Sequence, residues 1–173
     1  MPMLEMEYRG LRKVISGGQC GADRGGLEIA RRWNIETGGW APLGWKTAEG
    51  PRPNLSDFGL LEHHSADYKP RTKLNVGESD GTLIMATYTQ SAGTRLTIST
   101  CNKLGKPYLL LDPEDDDRER VINWMIGYSI EVLNVAGNRD RVELGKIHYK
   151  AVFATLHHVF ANLNRLGLLV AKA

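Results

Sequence analysis

The chain has 173 residues, 42% of them hydrophobic and 24% charged, with a formal net charge of +2. This is enough chain for one domain over 1–173 around a single core, and too little charge to hold a nucleic-acid backbone. With only Cys20 and Cys101, no apolar run long enough to span a bilayer and no signal-like core near the N-terminus, a reduced cytoplasmic protein away from membranes is expected.

In chain order, residues 13–16 form a first strand, where a β-branched pair, Val14 and Ile15, stops at a glycine-rich turn. Residues 23–33 follow as a helix, with Ile29, Ala30 and Trp33 on one face and Leu27 at its edge. The turn between them holds Ser16, Gly17, Gly18, Gln19, Gly21, Ala22, Asp23 and Arg24. A tight turn before a helix gathers backbone N–H groups and the positive end of the helix dipole, which suits an anion such as phosphate. The spacing is not that of a dinucleotide fingerprint. Asp23 reads as a cap of this helix or as an acceptor for a ligand amino group.

A short second strand, 35–37, leads into 38–47, a loop by its Gly and Pro content. Its Gly39, Gly44, Lys46 and Thr47 fall one residue off a Walker A spacing, and Pro51 and Pro53 oppose a following helix, so ATPase chemistry is excluded. Trp40, Trp45 and Lys46 read either as a wall for a flat charged ligand or as a loop folded down by its tryptophans. A polar helix lies within 65–75, starting near Lys69 because Pro70 fits only a first turn. It sets Arg71 and Asn75 on one face, as ligand donors or as a solvated surface. Residues 81–86 form an apolar strand, 87–93 a loop and 94–104 a helix. Ser91, Gly93 and Thr94 offer hydroxyls and amides to an anion, or simply cap the helix.

Residues 107–111 form a strand, 117–128 a helix, 131–135 a last strand and 136–139 a turn. The acidic run at Asp112 and 114–117 favours the next helix N-terminus over a metal. Residues 145–163 carry the clearest helical stripe, with Tyr149, Val152, Phe153, Leu156, Val159, Phe160 and Leu163. The histidine pairs at 63–64 and 157–158 lack a metal-ligand set. Cys20 near a helix N-terminus has a lowered thiol pKa in principle, but no partner base is assignable, so no catalytic residue is named.

This alternation predicts an α/β, Rossmann-like, doubly wound and mostly parallel sheet of about five strands with helices on both faces. The loops at 16–22, 87–93 and 136–139 follow strands and should converge on one edge.

The ordered series Ile15, Ser16, Gly17, Gly18, Gln19, Gly21, Ala22, Asp23 and Arg24, then Gly38, Gly39, Trp40, Pro42 and Gly44, then Ser65, Ala66, Asp67, Tyr68, Arg71, Thr72, Asn75, Val76 and Ser79 through Thr82 resembles the molybdenum cofactor carrier proteins. Gly93, Thr94, Leu104 through Pro107 and Leu133 through Gly137 continue it. The resemblance implies a Rossmann-like fold akin to the lysine decarboxylase-like "lonely guy" phosphoribohydrolases. It also implies binding of the molybdenum cofactor, a phosphate-bearing pterin dithiolene, by homo-oligomers, with tetramers expected. By it, the ligand lies on the loops at 16–22 or 91–94, with charge from Arg24, Lys46, Arg71 or Arg95. Two residues depart from the pattern. Cys20 replaces a Thr, and Thr97 stands where the phosphoribohydrolases carry a Glu, which counts against that hydrolysis. The expected function is therefore storage, protection and transfer of the cofactor to molybdoenzymes, with no chemistry of its own. The alternatives are a nucleotide-processing enzyme and a sensor of a nucleotide-derived ligand.

Overall fold

The computed structural model describes residues 7–141 and 148–173. Along them run β1 (Lys13–Ile15), α1 (Ala22–Arg32), β2 (Glu36–Ala41), β3 (Lys46–Thr47), β4 (Gly50–Pro51), β5 (Leu60–Glu62), α2 (Tyr68–Glu78), β6 (Gly81–Met85), α3 (Ala92–Leu104), β7 (Tyr108–Leu111), α4 (Arg118–Gly127), β8 (Val132–Gly137) and α5 (His148–Arg165). Each helix appears where its periodicity placed it, although the expected start of the last one, 145–147, lies outside the described residues.

The main sheet has the order β5-β2-β1-β8-β6-β7, and every pairing is parallel. It has six strands where the pattern gave about five. The additional strand is β5, three residues that follow the 3-10 segment Pro53–Phe58, too short to show alternation. The second difference is at β2. Gly38 and Gly39 read as loop by composition, yet the strand continues through them to Ala41. The reason is crowding: a Cβ on Gly39 would lie 2.1 Å from the Ser16 carbonyl oxygen, and its φ is +124°. Glycine is what lets β2 pass beside the first loop.

Successive strand residues face opposite sides of the sheet. Leu83, Met85, Leu133 and Val135 join a large core with α1, α4 and α5, in which Phe160, Leu156 and Ile29 are fully buried. The helices α1 and α5 pack together there, and α4 packs on α5. The helices α2 and α3 pack on each other over the second face. That face is more polar: Asn134 donates to the Thr82 hydroxyl at 3.2 Å between the strands. A smaller cluster of Leu27, Ala41, Leu55, Phe58 and Leu60 sits under the hairpin of β3 and β4, with Trp45 against it.

The chain winds outward from β1 to β2 and β5, crosses to β6 and β7, and inserts β8 last, between β1 and β6. The direction of winding therefore reverses at the middle of the sheet, beyond the carboxyl ends of β1, β8 and β6, which is where open α/β sheets take their ligands.

Candidate functional site

Three loops rise at that edge, and Asn138, directly after β8, ties them together. Its backbone N–H donates to the Met85 carbonyl at the end of β6 (3.1 Å), and its carbonyl accepts from Ala22 N–H at the start of α1 (3.1 Å). Its side-chain oxygen accepts from Tyr88 N–H (2.9 Å), while its amide nitrogen donates to the Tyr88 carbonyl (3.0 Å) and toward Thr94 Oγ1 (3.3 Å) and Ser91 Oγ (3.4 Å). Gly21 completes the seam, since a Cβ there would meet the Asn138 carbonyl at 2.5 Å and Arg139 Cα at 2.7 Å. The convergence expected of the three loops is what the structure has.

The first loop is internally satisfied. Gly18 N–H donates to Ser16 Oγ (3.2 Å), Gln19 N–H to Asp23 Oδ2 (3.2 Å) and Cys20 N–H to Gln19 Oε1 (3.1 Å). Gly17 N–H also points to the Asp23 carboxylate. The Asp23 carboxyl is thus the acceptor that this turn already holds. It does not cap α1: the residue at the cap position is Gly21, and Asp23 folds back from inside the first turn. Burial raises the Asp23 carboxyl above its ordinary value, against the opposing pull of Arg71 and the loop N–H groups. Arg71 Nη1 stands 3.9 Å from Asp23 Oδ2 and lies on Gly17, where a Cβ would come within 1.7 Å of Nη1. Arg71 Nε is buried without a hydrogen-bond partner.

The hairpin covers this loop. Gln19 Oε1 also accepts from Ala48 N–H (2.8 Å), and Arg24 pairs with Glu49 (3.2 Å), which Arg52 shares (2.8 Å). Lys46 Nζ and the Arg71 guanidinium both approach the Tyr68 ring, at 5.2 and 5.3 Å from its centroid. Trp40 and Trp45 do not form one wall. Trp45 packs on the smaller core, and the Trp40 indole donates to Glu78 at 3.1 Å. Asn75 accepts from Trp40 N–H (2.9 Å) and donates to the Trp40 carbonyl (3.1 Å), so its amide holds β2 in place.

At the second loop Ser91 caps α3 by accepting from Thr94 N–H (3.2 Å) and donates to Thr94 Oγ1 (2.8 Å). Thr94 is buried, whereas Gly93 is exposed and a Cβ there would meet nothing within 4 Å. This helix end is open to approach, unlike the first. Thr97 Oγ1 donates to the Gly93 carbonyl and fills the place of a carboxylate with a local backbone bond. Arg95 lines a shallow groove of about 450 Å³ along α3, together with Thr89 and Gln90 of this loop, Lys103 and Leu110.

Cys20 is buried, and burial, with Glu49 nearby, pushes its thiol up, so the lowered pKa expected from the helix end is reversed. The acidic run disperses: Asp117 caps α4 through Arg120 N–H, and Asp116 pairs with Arg118. Among the described residues, no three His, Cys, Asp or Glu side chains gather to hold a metal, and no helix is long and apolar enough to cross a membrane.

Sequence reasoning passed over Asn138, Arg139 and Tyr88. Its one available signal was position, since the residues just after a central strand line that edge. Arg139 is exposed and makes no ion pair with a described residue, and Tyr88 is 59% exposed.

The family model for the circularly permutated YpsA SLOG family matches residues 14–160. The chain is also similar to a crystal structure of a "putative molybdenum carrier protein" from Syntrophus aciditrophicus SB. The two are 36% identical, with a TM-score of 0.77, over 88% of this chain and 96% of that one. No curated protein matches the chain.

Proposed function

The chain belongs to the circularly permutated YpsA SLOG family, and from that premise we propose that it binds the molybdenum cofactor as cargo, protects it and hands it to cofactor-free molybdoenzymes. The observation that carries this reading is the seam at Asn138, which joins three loops into one rigid edge at the reversal of the sheet. Such edges are where open α/β sheets take their ligands. The likeness to a protein described as a "putative molybdenum carrier protein" supports the molybdenum cofactor as that ligand.

In this reading the pterin phosphate lies on residues 91–94, where Gly93 leaves the α3 N-terminus uncovered, and Arg139 adds charge from the third loop. Residues 16–22 support that site rather than cradle the phosphate, because Asp23 and Ser16 already hold their N–H groups. The nucleotide hydrolysis alternative lacks an acid or base at Thr97, whose hydroxyl is engaged with Gly93.

The test is anaerobic titration with isolated cofactor, followed by transfer to a cofactor-free molybdoenzyme. Saturable binding and recovery of the recipient's activity are expected. Absence of saturable uptake would remove the carrier reading.

A further inference from the structure

We propose that Tyr88 is the stacking platform for the fused ring of the ligand, a planar heterocycle that also bears a phosphate. The proposal rests on the ligand site at this edge and says which side chain reads the flat part of the cargo.

Of the large apolar side chains left exposed among the described residues, Tyr88 is the one that rises from the loop between β6 and α3, and 59% of it faces solvent. An exposed aromatic ring forgoes the burial that normally stabilises it. Mobile loops often present such rings, but this one stands on a fixed base. The side-chain amide of Asn138 grips both backbone groups of Tyr88, at 2.9 and 3.0 Å. The residue before it is held as well, through the 2.9 Å bond between Thr87 Oγ1 and His148 Nε2. The same Asn138 amide reaches the Ser91–Thr94 pair that caps α3. The base of the ring and the open turn at Gly93 are therefore parts of one bonded unit.

A ring anchored in this way loses little conformational freedom when a second ring stacks on it, so the contact appears as affinity rather than being spent on ordering the loop. A hydrogen bond to the phenol is not required. Stacking depends on the π face, which all fused purine-like or pterin rings present. The ring accordingly selects planar phosphates over sugar phosphates or inorganic phosphate.

The test compares wild type, Tyr88→Ala, Tyr88→Phe and Tyr88→Trp by anaerobic titration with the molybdenum cofactor and, separately, with GMP and ribose 5-phosphate. Tyr88→Ala should bind the cofactor about ten- to a hundredfold more weakly, while Tyr88→Phe stays within about threefold. The Tyr88→Trp indole should be quenched as the fused-ring ligand binds and not by ribose 5-phosphate. The exposed position makes all three variants compatible with the fold, and circular dichroism checks this. If wild type binds the cofactor and Tyr88→Ala binds it equally well, the platform is wrong and the carrier reading stands. If wild type binds GMP and not the cofactor, with Tyr88→Ala weakened, the carrier reading falls and the platform stands. If wild type binds no fused-ring phosphate, both fall.

Discussion

Asn138 and Asp23 are the two residues on which the edge turns. The Asn138 side chain satisfies both backbone groups of Tyr88 inside a nearly closed seam, and its removal strands them. Asn138→Ala should cost about 2–4 kcal/mol, read as a shift of the urea midpoint with unchanged slope. A loss under about 0.5 kcal/mol, within the range of neutral surface changes, would show the seam to be incidental. Asp23 gives a pH signature. Its folded-state pKa lies above its unfolded value because burial outweighs Arg71. The folded state therefore binds the extra proton between those two values, so ionised Asp23 is a net cost above its folded pKa, relieved as pH falls from there to the unfolded value. Relative to wild type, Asp23→Asn should lack that acid-side gain, measured as the difference between the two stability curves from neutral pH down to the unfolded carboxylate value. Superimposable curves would mean that Asp23 does not titrate differently in the fold. Residue type alone did not show these roles: Asn138 read as a turn residue and Asp23 as a helix cap or a ligand acceptor, whereas Asn138 takes its partners from distant loops and Asp23 turns back onto Gln19 N–H beneath Arg71.

At the scale of elements, the glycines of α1 decide how closely helix and sheet approach. A Cβ on Gly26 would lie 2.8 Å from Val135 Cβ on β8, and one on Gly25 would lie 2.8 Å from the Tyr149 carbonyl on α5. Gly26→Ala raises helix propensity, yet it forces α1 away from β8, so the overpacking should win. Thermal unfolding should show a net loss of about 1–3 kcal/mol, and a stabilised variant would mean that the layers have slack. Periodicity identified the helices because one apolar face per helix is a local property; α5 has Val152, Leu156, Val159, Phe160 and Leu163 all buried along its stripe. It could not identify β5, whose three residues are a strand only because β2 lies beside them, with Gly39 opposite Leu60. The same holds for Gly38 and Gly39 in β2, where the crowding by Ser16 that demands glycine is invisible in composition.

The whole molecule has its last strand at the centre of its sheet. Counting only sheet strands in chain order, the arrangement is third, second, first, sixth, fourth and fifth. Read from β8 instead, the strands run outward to either side without an insertion, as the name of a circularly permutated family suggests. The two ends of the described chain also meet: Leu11 pairs in parallel with Leu169, Leu11 N–H donates to Leu168 and Val170 N–H donates to Leu11. A chain opened in the turn between α4 and β8, with its old ends joined, should therefore fold. Because the paired segments run parallel, the linker must double back along them rather than close a tight turn. A native-like circular dichroism spectrum and cooperative unfolding are expected, and a permutant that stays unfolded would show that chain order, not contacts, specifies this sheet. By itself the sequence determined the class of fold and the identity of most elements, since hydrophobic period, glycine turns and helix caps act over a few residues. It also placed the three loops after strands, and so at one edge of a parallel sheet. Only tertiary structure decided which loop leaves its helix N-terminus uncovered. Ser16 and Asp23 hold the first loop's N–H groups only because that turn folds back on itself under Arg71, and Asn138 reaches Ala22 and Tyr88 from across the sheet, so composition does not show which N–H groups are taken.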